Sequence, residues 1–191
     1  GHGIRAALIA SMLRGLMEQL SHLADNPAAF LSSLNHHLAK ILQRANTTMF
    51  ASAVYIYLDL ETGVMTASTA GHPHPIILGP DGVARKMPLP RGIARGLLDD
   101  ATYHNAQFSL LAGARILMYT DGLTEAANQD GEEMGVERLI DYFNNSSPHS
   151  TKDFVHQALT CVAKFTGCTN QADDICMLGI SYSEHEAKTD G

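Results

Sequence analysis

Two acidic segments of this chain carry the residues best suited to metal chemistry. The first is residues 116–126, ILMYTDGLTEA, where an apolar run ends on Thr-Asp-Gly. A glycine at that point allows a sharp turn, so we expect the carboxylate of Asp121 at an accessible edge of a sheet, where it could bind a metal ion. An Asp-Gly pair after a strand is also an ordinary turn, and this segment alone leaves both interpretations open.

The second acidic segment is residues 170–180, NQADDICMLGI. Asp173 and Asp174 directly precede an apolar strand, so at least one of the two must point out of the core where that strand begins. Neighbouring carboxylates repel each other unless a cation or a hydrogen-bond network compensates. Carboxylate ligands suit magnesium or manganese better than zinc. An acidic pair is also common in turns and caps, so this segment too has a purely structural interpretation.

Other catalytic patterns fit poorly. Cys161, Cys168 and Cys176 form no Cys-x-x-Cys pair and stand in no Cys-x5-Arg loop, which disfavours a disulfide framework, a zinc site and a catalytic cysteine. Asp121 is not followed two residues later by a second aspartate, as an aspartyl-phosphate mechanism would require. Neither a Gly-x-Ser-x-Gly elbow nor a P-loop occurs.

Composition narrows the class of protein further. With 191 residues and 45% hydrophobic content the chain is long and apolar enough for one globular domain. A net charge of -7 without a basic stripe argues against nucleic acid as a partner. The sequence has neither an apolar run of about 20 residues nor a secretory signal pattern, so we expect a cytoplasmic protein without a membrane partner.

The elements that must position the acidic residues follow from periodicity. Apolar residues every fourth position from Ile4 predict a first helix, and Asp25-Asn26-Pro27 predicts the start of a second. Alternating β-branched and turn residues then predict strands, followed by two more helices and a last strand. The predicted strands are 49–58, 64–71, 75–79, 83–87, 102–110, 115–120 and 175–182. The later helices are 136–143 and 154–165, and Ser150-Thr151-Lys152-Asp153 predicts the capped start of the last one. This order predicts an α+β fold with antiparallel sheets flanked by helices.

Four segments in this order resemble the protein phosphatase 2C-like (PPM) family, and more closely its bacterial SpoIIE-type serine/threonine phosphatases. They are GHGIRAAL, STAGHPHPIIL, YTDGLTEA and DDICML. The resemblance implies an αββα sandwich of two mainly antiparallel sheets that lacks its first strands. It also implies one phosphatase domain over residues 1–183, followed by a disordered tail, residues 184–191.

The resemblance assigns site residues by position. Asp121 matches the aspartate of the family's T-D-G motif and Asp173 the first aspartate of its acidic pair, so both would be catalytic ligands of a two-metal site for Mn²⁺ or Mg²⁺. Asp174 would be a supporting metal ligand. Gly122 and His72 are candidate substrate-binding residues, although a role of His72 in shaping its loop is the stronger interpretation.

Two departures from the family pattern affect these expectations. The first segment normally continues from a D-x-S-G-H-G run, so the aspartate that bridges the two metals would stand just before Gly1, and we expect the isolated chain to be nearly inactive. Where the family usually has threonine after the acidic pair and one apolar residue, this chain has Cys176, which removes a hydroxyl near the metal.

The function implied is that of a metal-dependent serine/threonine protein phosphatase, the output domain of a bacterial signalling protein with a sensor or receiver upstream. Its substrate would be a phosphorylated STAS-type anti-sigma-factor antagonist, attacked by metal-activated water. A homodimer is a further possibility, because a sandwich without its first strands exposes apolar faces. The alternative is a non-catalytic adaptor that holds a regulatory partner. An aspartate three positions before Gly1 in the gene, where the D-x-S-G-H-G run has it, would favour the enzyme.

Overall fold

A computed structural model describes residues 4–44, 50–90, 92, 101–167 and 174–183. Its helices are α1 (Ile4–Gln19), α2 (Pro27–Arg44), α3 (Gly135–Ser146) and α4 (Thr151–Thr166). Its strands are β1 (Ala53–Leu58), β2 (Val64–Ala70), β3 (Ile76–Leu78), β4 (Ala84–Lys86), β5 (Ala106–Ser109), β6 (Arg115–Tyr119) and β7 (Met177–Ser181). Every strand pairing is antiparallel, in two sheets of order β1-β2-β5 and β4-β3-β6-β7. The predicted α+β fold with antiparallel sheets is confirmed.

The chain divides into two compact units, each with one sheet. One unit comprises Gly1–His72 and Pro88–Ser109, and the other comprises Pro73–Met87 and Leu110–Gly191. Both acidic segments belong to the second unit. Within the described residues no helix is both long and apolar enough to cross a membrane. The predicted tail, residues 184–191, and Asp173 lie outside the described part of the chain.

In the first unit, α2 lies against β2 and buries Phe30, Leu31, Leu34 and Leu38. Two backbone amides in its first turn have side-chain acceptors. Asn26 Oδ1 accepts the amide of Ala29 at 3.2 Å, and Asn105 Oδ1 accepts the amide of Ala28 at 2.8 Å. Phe30 stacks on Tyr55 of β1, with ring centroids 4.6 Å apart. The predicted start of this helix is confirmed, and the contribution of Asn105 is a finding of the structure.

Helix α1 forms where predicted, but its every-fourth-residue stripe does not face one side. Ile4 and Leu8 are 82% and 60% exposed, whereas Leu13, Leu16 and Leu20 pack into the apolar cluster of the first unit. A step of four residues advances about 400° around a helix, so the stripe drifts by about 40° per step. Over sixteen residues it passes from the solvent side of α1 to the buried side.

In the second unit, α3 and α4 pack with the four-stranded sheet around a shared core. Phe143 of α3 and Phe154 of α4 meet in this core with ring centroids 4.5 Å apart. Helix α4 begins at the predicted cap, where Ser150 Oγ accepts the amide of Asp153 at 3.0 Å. Strand β7 pairs with β6 in a register that sets Met177 opposite Tyr119. The end of β6 and the beginning of β7 therefore share one edge of the sheet.

Candidate functional site

The candidate site begins where β6 leaves the sheet. Thr120 is extended, and Asp121–Leu123 then forms a single 3-10 turn. The Asp121 carbonyl accepts the amides of Thr124 and Glu125, both at 2.8 Å, and the Asp121 carboxylate accepts the amide of Gly122 at 3.1 Å. Asp121 is exposed while Gly122 is buried. The turn thus holds the Asp121 carboxylate at the sheet edge, open to solvent.

Thr120, at the end of β6, holds the acidic segment before β7 by hydrogen bonds. The Thr120 hydroxyl donates to the carbonyl of Asp174 at 3.2 Å and accepts the amide of Cys176 at 2.9 Å. The backbone amide of Thr120 donates to the carbonyl of Cys176 at 3.0 Å. The backbone of Asp174 therefore lies beside the residue that precedes Asp121. Because Asp173 is outside the described residues, its part in the site stays a prediction.

The oxygen donors at this edge fit a hard divalent cation in kind. Asp121 contributes a solvent-facing carboxylate, and Asp174 is an exposed residue of the adjoining segment. Within the ranges that the structure describes, His, Cys, Asp and Glu side chains form no group of three that could hold a metal ion. Residues 1–3 and 168–173, which include Asp173, lie outside those ranges.

His72, a candidate substrate-binding residue, is half-buried and lies in the first unit. Its Nδ1 is 2.9 Å from the hydroxyl of Ser52, and its carbonyl accepts the Thr69 hydroxyl at 3.1 Å. These bonds tie the loop after β2 to the residue before β1, which favours the loop-shaping interpretation. The sequence gives no signal for the contact between His72 and Ser52, because the two residues are twenty positions apart and share no motif.

Tyr119, Cys161 and Cys176, all in the second unit, are poor alternatives as acid, base or nucleophile. Tyr119 is 3% exposed, and burial, with a smaller effect of the nearby Glu137 carboxylate, raises the pKa of its hydroxyl far above neutrality. Burial also raises the pKa of the Cys161 thiol to about 11, so this cysteine is a neutral core residue. Cys176 is exposed and meets Thr120 through its backbone.

Solved structures with the same fold are PP2C-type domains. The SiaA-PP2C domain of Pseudomonas aeruginosa aligns with a TM-score of 0.75 and 23% identity, over 96% of this chain and 72% of that one. The PP2C phosphatase domain of SpoIIE with a fragment of its regulatory domain, from Bacillus subtilis, aligns with a TM-score of 0.76 and 15% identity, over 95% and 52% of the two chains. The fold is therefore PP2C-like.

Two further structures of this fold contain divalent metal ions. RsbX in complex with magnesium aligns with a TM-score of 0.61 at 17% identity, over 94% of this chain and 75% of RsbX. The catalytic domain of the serine/threonine protein phosphatase PstP, in complex with two manganese ions, aligns with a TM-score of 0.56 at 14% identity, over 88% and 79% of the two chains.

The sequence model of the family described as Stage II sporulation protein E (SpoIIE) matches residues 1–183. This chain belongs to the SpoIIE family. Among curated relatives, the phosphoserine phosphatase RsbP of Bacillus subtilis is 22% identical over 93% of this chain and 42% of its own length. The phosphoserine phosphatase RsbU of the same organism is 26% identical over 86% of this chain and 49% of its own length. The chain spans less than half of either relative.

Proposed function

We propose that this chain is the catalytic domain of a metal-dependent serine/threonine protein phosphatase, with the domain over residues 1–183. The observation that carries the proposal is the attachment of the acidic segment before β7 to the Thr-Asp-Gly turn after β6, in a chain of the SpoIIE family. Antiparallel pairing of β6 with β7 brings the two segments to one edge, as a shared cation site requires.

Asp121 and Asp173 would hold Mn²⁺ or Mg²⁺, and Asp174 would support them. When bound, a pair of such ions supplies positive charge at the phosphoryl group and a water of lowered pKa. Hydrolysis would join a water oxygen to phosphorus and break the bond from phosphorus to the serine or threonine oxygen, which would take up a proton released by the attacking water. The turn at Asp121 would keep its carboxylate fixed during the reaction, and Gly122 and His72 are the candidates for contact with substrate.

The proposed substrate is a phosphorylated STAS-type antagonist of an anti-sigma factor, and the proposed setting is a cytoplasmic signalling protein with a sensor or receiver domain upstream. RsbP and RsbU, both named phosphoserine phosphatases, support phosphoserine as the group that is hydrolysed. We also propose that the protein forms a homodimer through the exposed side of α1. Ile4, Leu8 and Met12 are 82%, 60% and 36% exposed there.

The test is manganese-dependent hydrolysis of para-nitrophenyl phosphate by the full-length product of the gene that encodes this chain. Asp121→Asn should remove turnover, because a neutral amide is a much weaker ligand for a hard cation. Asp141→Asn is the matched control, since Asp141 is an exposed acidic residue on α3. Equal turnover by the wild type and Asp121→Asn would refute the phosphatase proposal.

The same experiment separates the enzyme from the adaptor. For an adaptor, the full-length wild type would be inactive with manganese yet would still bind a regulatory partner. For the enzyme, the full-length product turns over and the isolated 191-residue chain is nearly inactive. Substantial manganese-dependent turnover by the isolated chain would show that its own residues complete the metal site.

A further inference from the structure

The pairing of β6 with β7 ends at the acidic edge, yet the two strands remain hydrogen-bonded there through Thr120 and Cys176. The register of β6 and β7 ends with Tyr119 opposite Met177, so the next pair along the two strands would be Thr120 and Cys176. Opposed residues in an antiparallel ladder alternate between pairs that exchange no backbone hydrogen bonds and pairs that exchange two, and Thr120 with Cys176 stands at a position of the second kind. One of these two is present, from the Thr120 amide to the Cys176 carbonyl at 3.0 Å.

The second ladder bond is replaced by a side chain. The Thr120 carbonyl accepts the amide of Leu123 at 3.1 Å and so belongs to the turn that carries Asp121. The amide of Cys176 donates instead to the Thr120 hydroxyl at 2.9 Å. That hydroxyl in turn donates to the Asp174 carbonyl at 3.2 Å. One hydroxyl therefore substitutes for a backbone acceptor on one side and fixes the acidic segment on the other.

We propose that Thr120 is a positioning residue for the metal site, an inference that rests on the proposed function. Its hydroxyl lets the chain turn out of the sheet at Asp121 while the backbone around Asp174 stays attached to the same strand end. Only a group that both donates and accepts can make these two bonds. The branched threonine side chain also restricts rotation about χ1, which holds the hydroxyl in place.

The substitutions Thr120→Val and Thr120→Ser separate the hydroxyl from the shape of the side chain. Valine has nearly the same volume without the hydroxyl, so the amide of Cys176 loses its acceptor. Serine keeps the hydroxyl and loses only the methyl group. The matched control is Thr160→Val, which removes a hydroxyl bonded to the His156 carbonyl within α4.

The readout is the dissociation constant of Mn²⁺, measured by isothermal titration calorimetry on the full-length gene product. We expect Thr120→Val to weaken Mn²⁺ binding about tenfold and Thr120→Ser by less than about threefold, the scale of one or two lost hydrogen bonds. Thr160→Val should bind Mn²⁺ as the wild type does. At saturating Mn²⁺ the turnover number of Thr120→Val should recover to near the wild-type value, because the reacting groups are unchanged.

The outcomes distinguish this inference from the function on which it rests. If Asp121→Asn loses Mn²⁺ binding while Thr120→Val keeps wild-type affinity, Thr120 only stabilises the sheet and the inference is wrong. If Asp121→Asn binds Mn²⁺ as tightly as the wild type, the proposed metal site itself fails.

A measurement on the wild type covers the case in which Thr120→Val does not fold. Hydrogen exchange of the Cys176 amide should be slow without metal and slower still when Mn²⁺ is added, because metal binding would stabilise the segment that donates to Thr120. Fast exchange of this amide, or exchange unaffected by Mn²⁺, would overturn the inference.

Discussion

The hydroxyl of Thr120 accepts the backbone amide of Cys176 at 2.9 Å, in place of a backbone carbonyl. This bond uses the amide of Cys176 and not its thiol. The resemblance predicted an effect of the Cys176 side chain, whereas the bond to β6 is made by the backbone amide of this residue.

The two described cysteines should differ in reactivity, because Cys176 is exposed and Cys161 is buried. In a Cys168→Ser variant, we expect Cys176 to react rapidly with a thiol reagent such as DTNB at pH 8 because it is exposed. Cys161 should react only after denaturation, since burial raises its pKa to about 11. Rapid modification that survives Cys176→Ser in that background would contradict the burial of Cys161.

Gly179 marks a close approach of β7 to α4. A Cβ atom built on Gly179 would lie 2.8 Å from methyl carbons of both Thr151 and Val155. We expect Gly179→Ala to lower the free energy of unfolding by about 1–3 kcal/mol, as overpacking does. The measurement is urea denaturation followed by circular dichroism.

The control for Gly179 is Gly15, in the interior of α1, where an added Cβ would meet no atom within 4 Å. Gly15→Ala should raise the free energy of unfolding by up to about 1 kcal/mol, because alanine has the higher helix propensity. If Gly179→Ala were as stable as Gly15→Ala, the packing of β7 against α4 would be looser than the structure describes.

The cap of α4 offers a stability test at a predicted position. Ser150 Oγ accepts the amide of Asp153 at 3.0 Å. Ser150→Ala should lower the free energy of unfolding by about 1 kcal/mol, the usual cost of losing an N-cap. Ser150→Asp should restore most of that loss, since aspartate is an equally good cap. Equal destabilisation by both substitutions would argue against capping.

Asp153 should make the stability of the fold depend on pH. The backbone amide of His149 donates to its carboxylate at 2.9 Å, and this bond, with smaller effects that include the Gln157 side chain, lowers the pKa of Asp153. A lowered pKa means that the ionised carboxylate stabilises the fold above about pH 4 and that this stabilisation is lost as the pH falls through the folded-state pKa. Thermal melts of Asp153→Ala should differ from wild type at pH 6 and converge toward pH 3. A difference in Tm that is independent of pH would contradict this assignment.

Local signals in the sequence predicted most of the elements. The cap at Ser150 and the start of α2 at Pro27 are each encoded within a few residues, and both lie where predicted. The stripe of α1 was less informative, since a strict four-residue spacing drifts around the helix, and Ile4 faces solvent while Leu20 is buried.

Contacts between distant parts of the chain could not be read from the sequence. Asn105 satisfies the amide of Ala28 across 77 positions, and Thr120 bonds Cys176 across 56. Such bonds depend on how strands pair, and β5 pairs with β2 although β3 and β4 lie between them in the sequence. The residue types at the acidic edge were recognisable, but the role of Thr120 required the structure.

The most direct test of the metal site is an anomalous difference map at the manganese absorption edge, from crystals of the full-length gene product soaked in Mn²⁺. We expect a peak within about 2.2 Å of carboxylate oxygens of both Asp121 and Asp173, the distance at which a small divalent cation binds oxygen. Carboxylates of Asp121 and Asp173 that face different regions, with no manganese peak between them, would contradict the proposed centre.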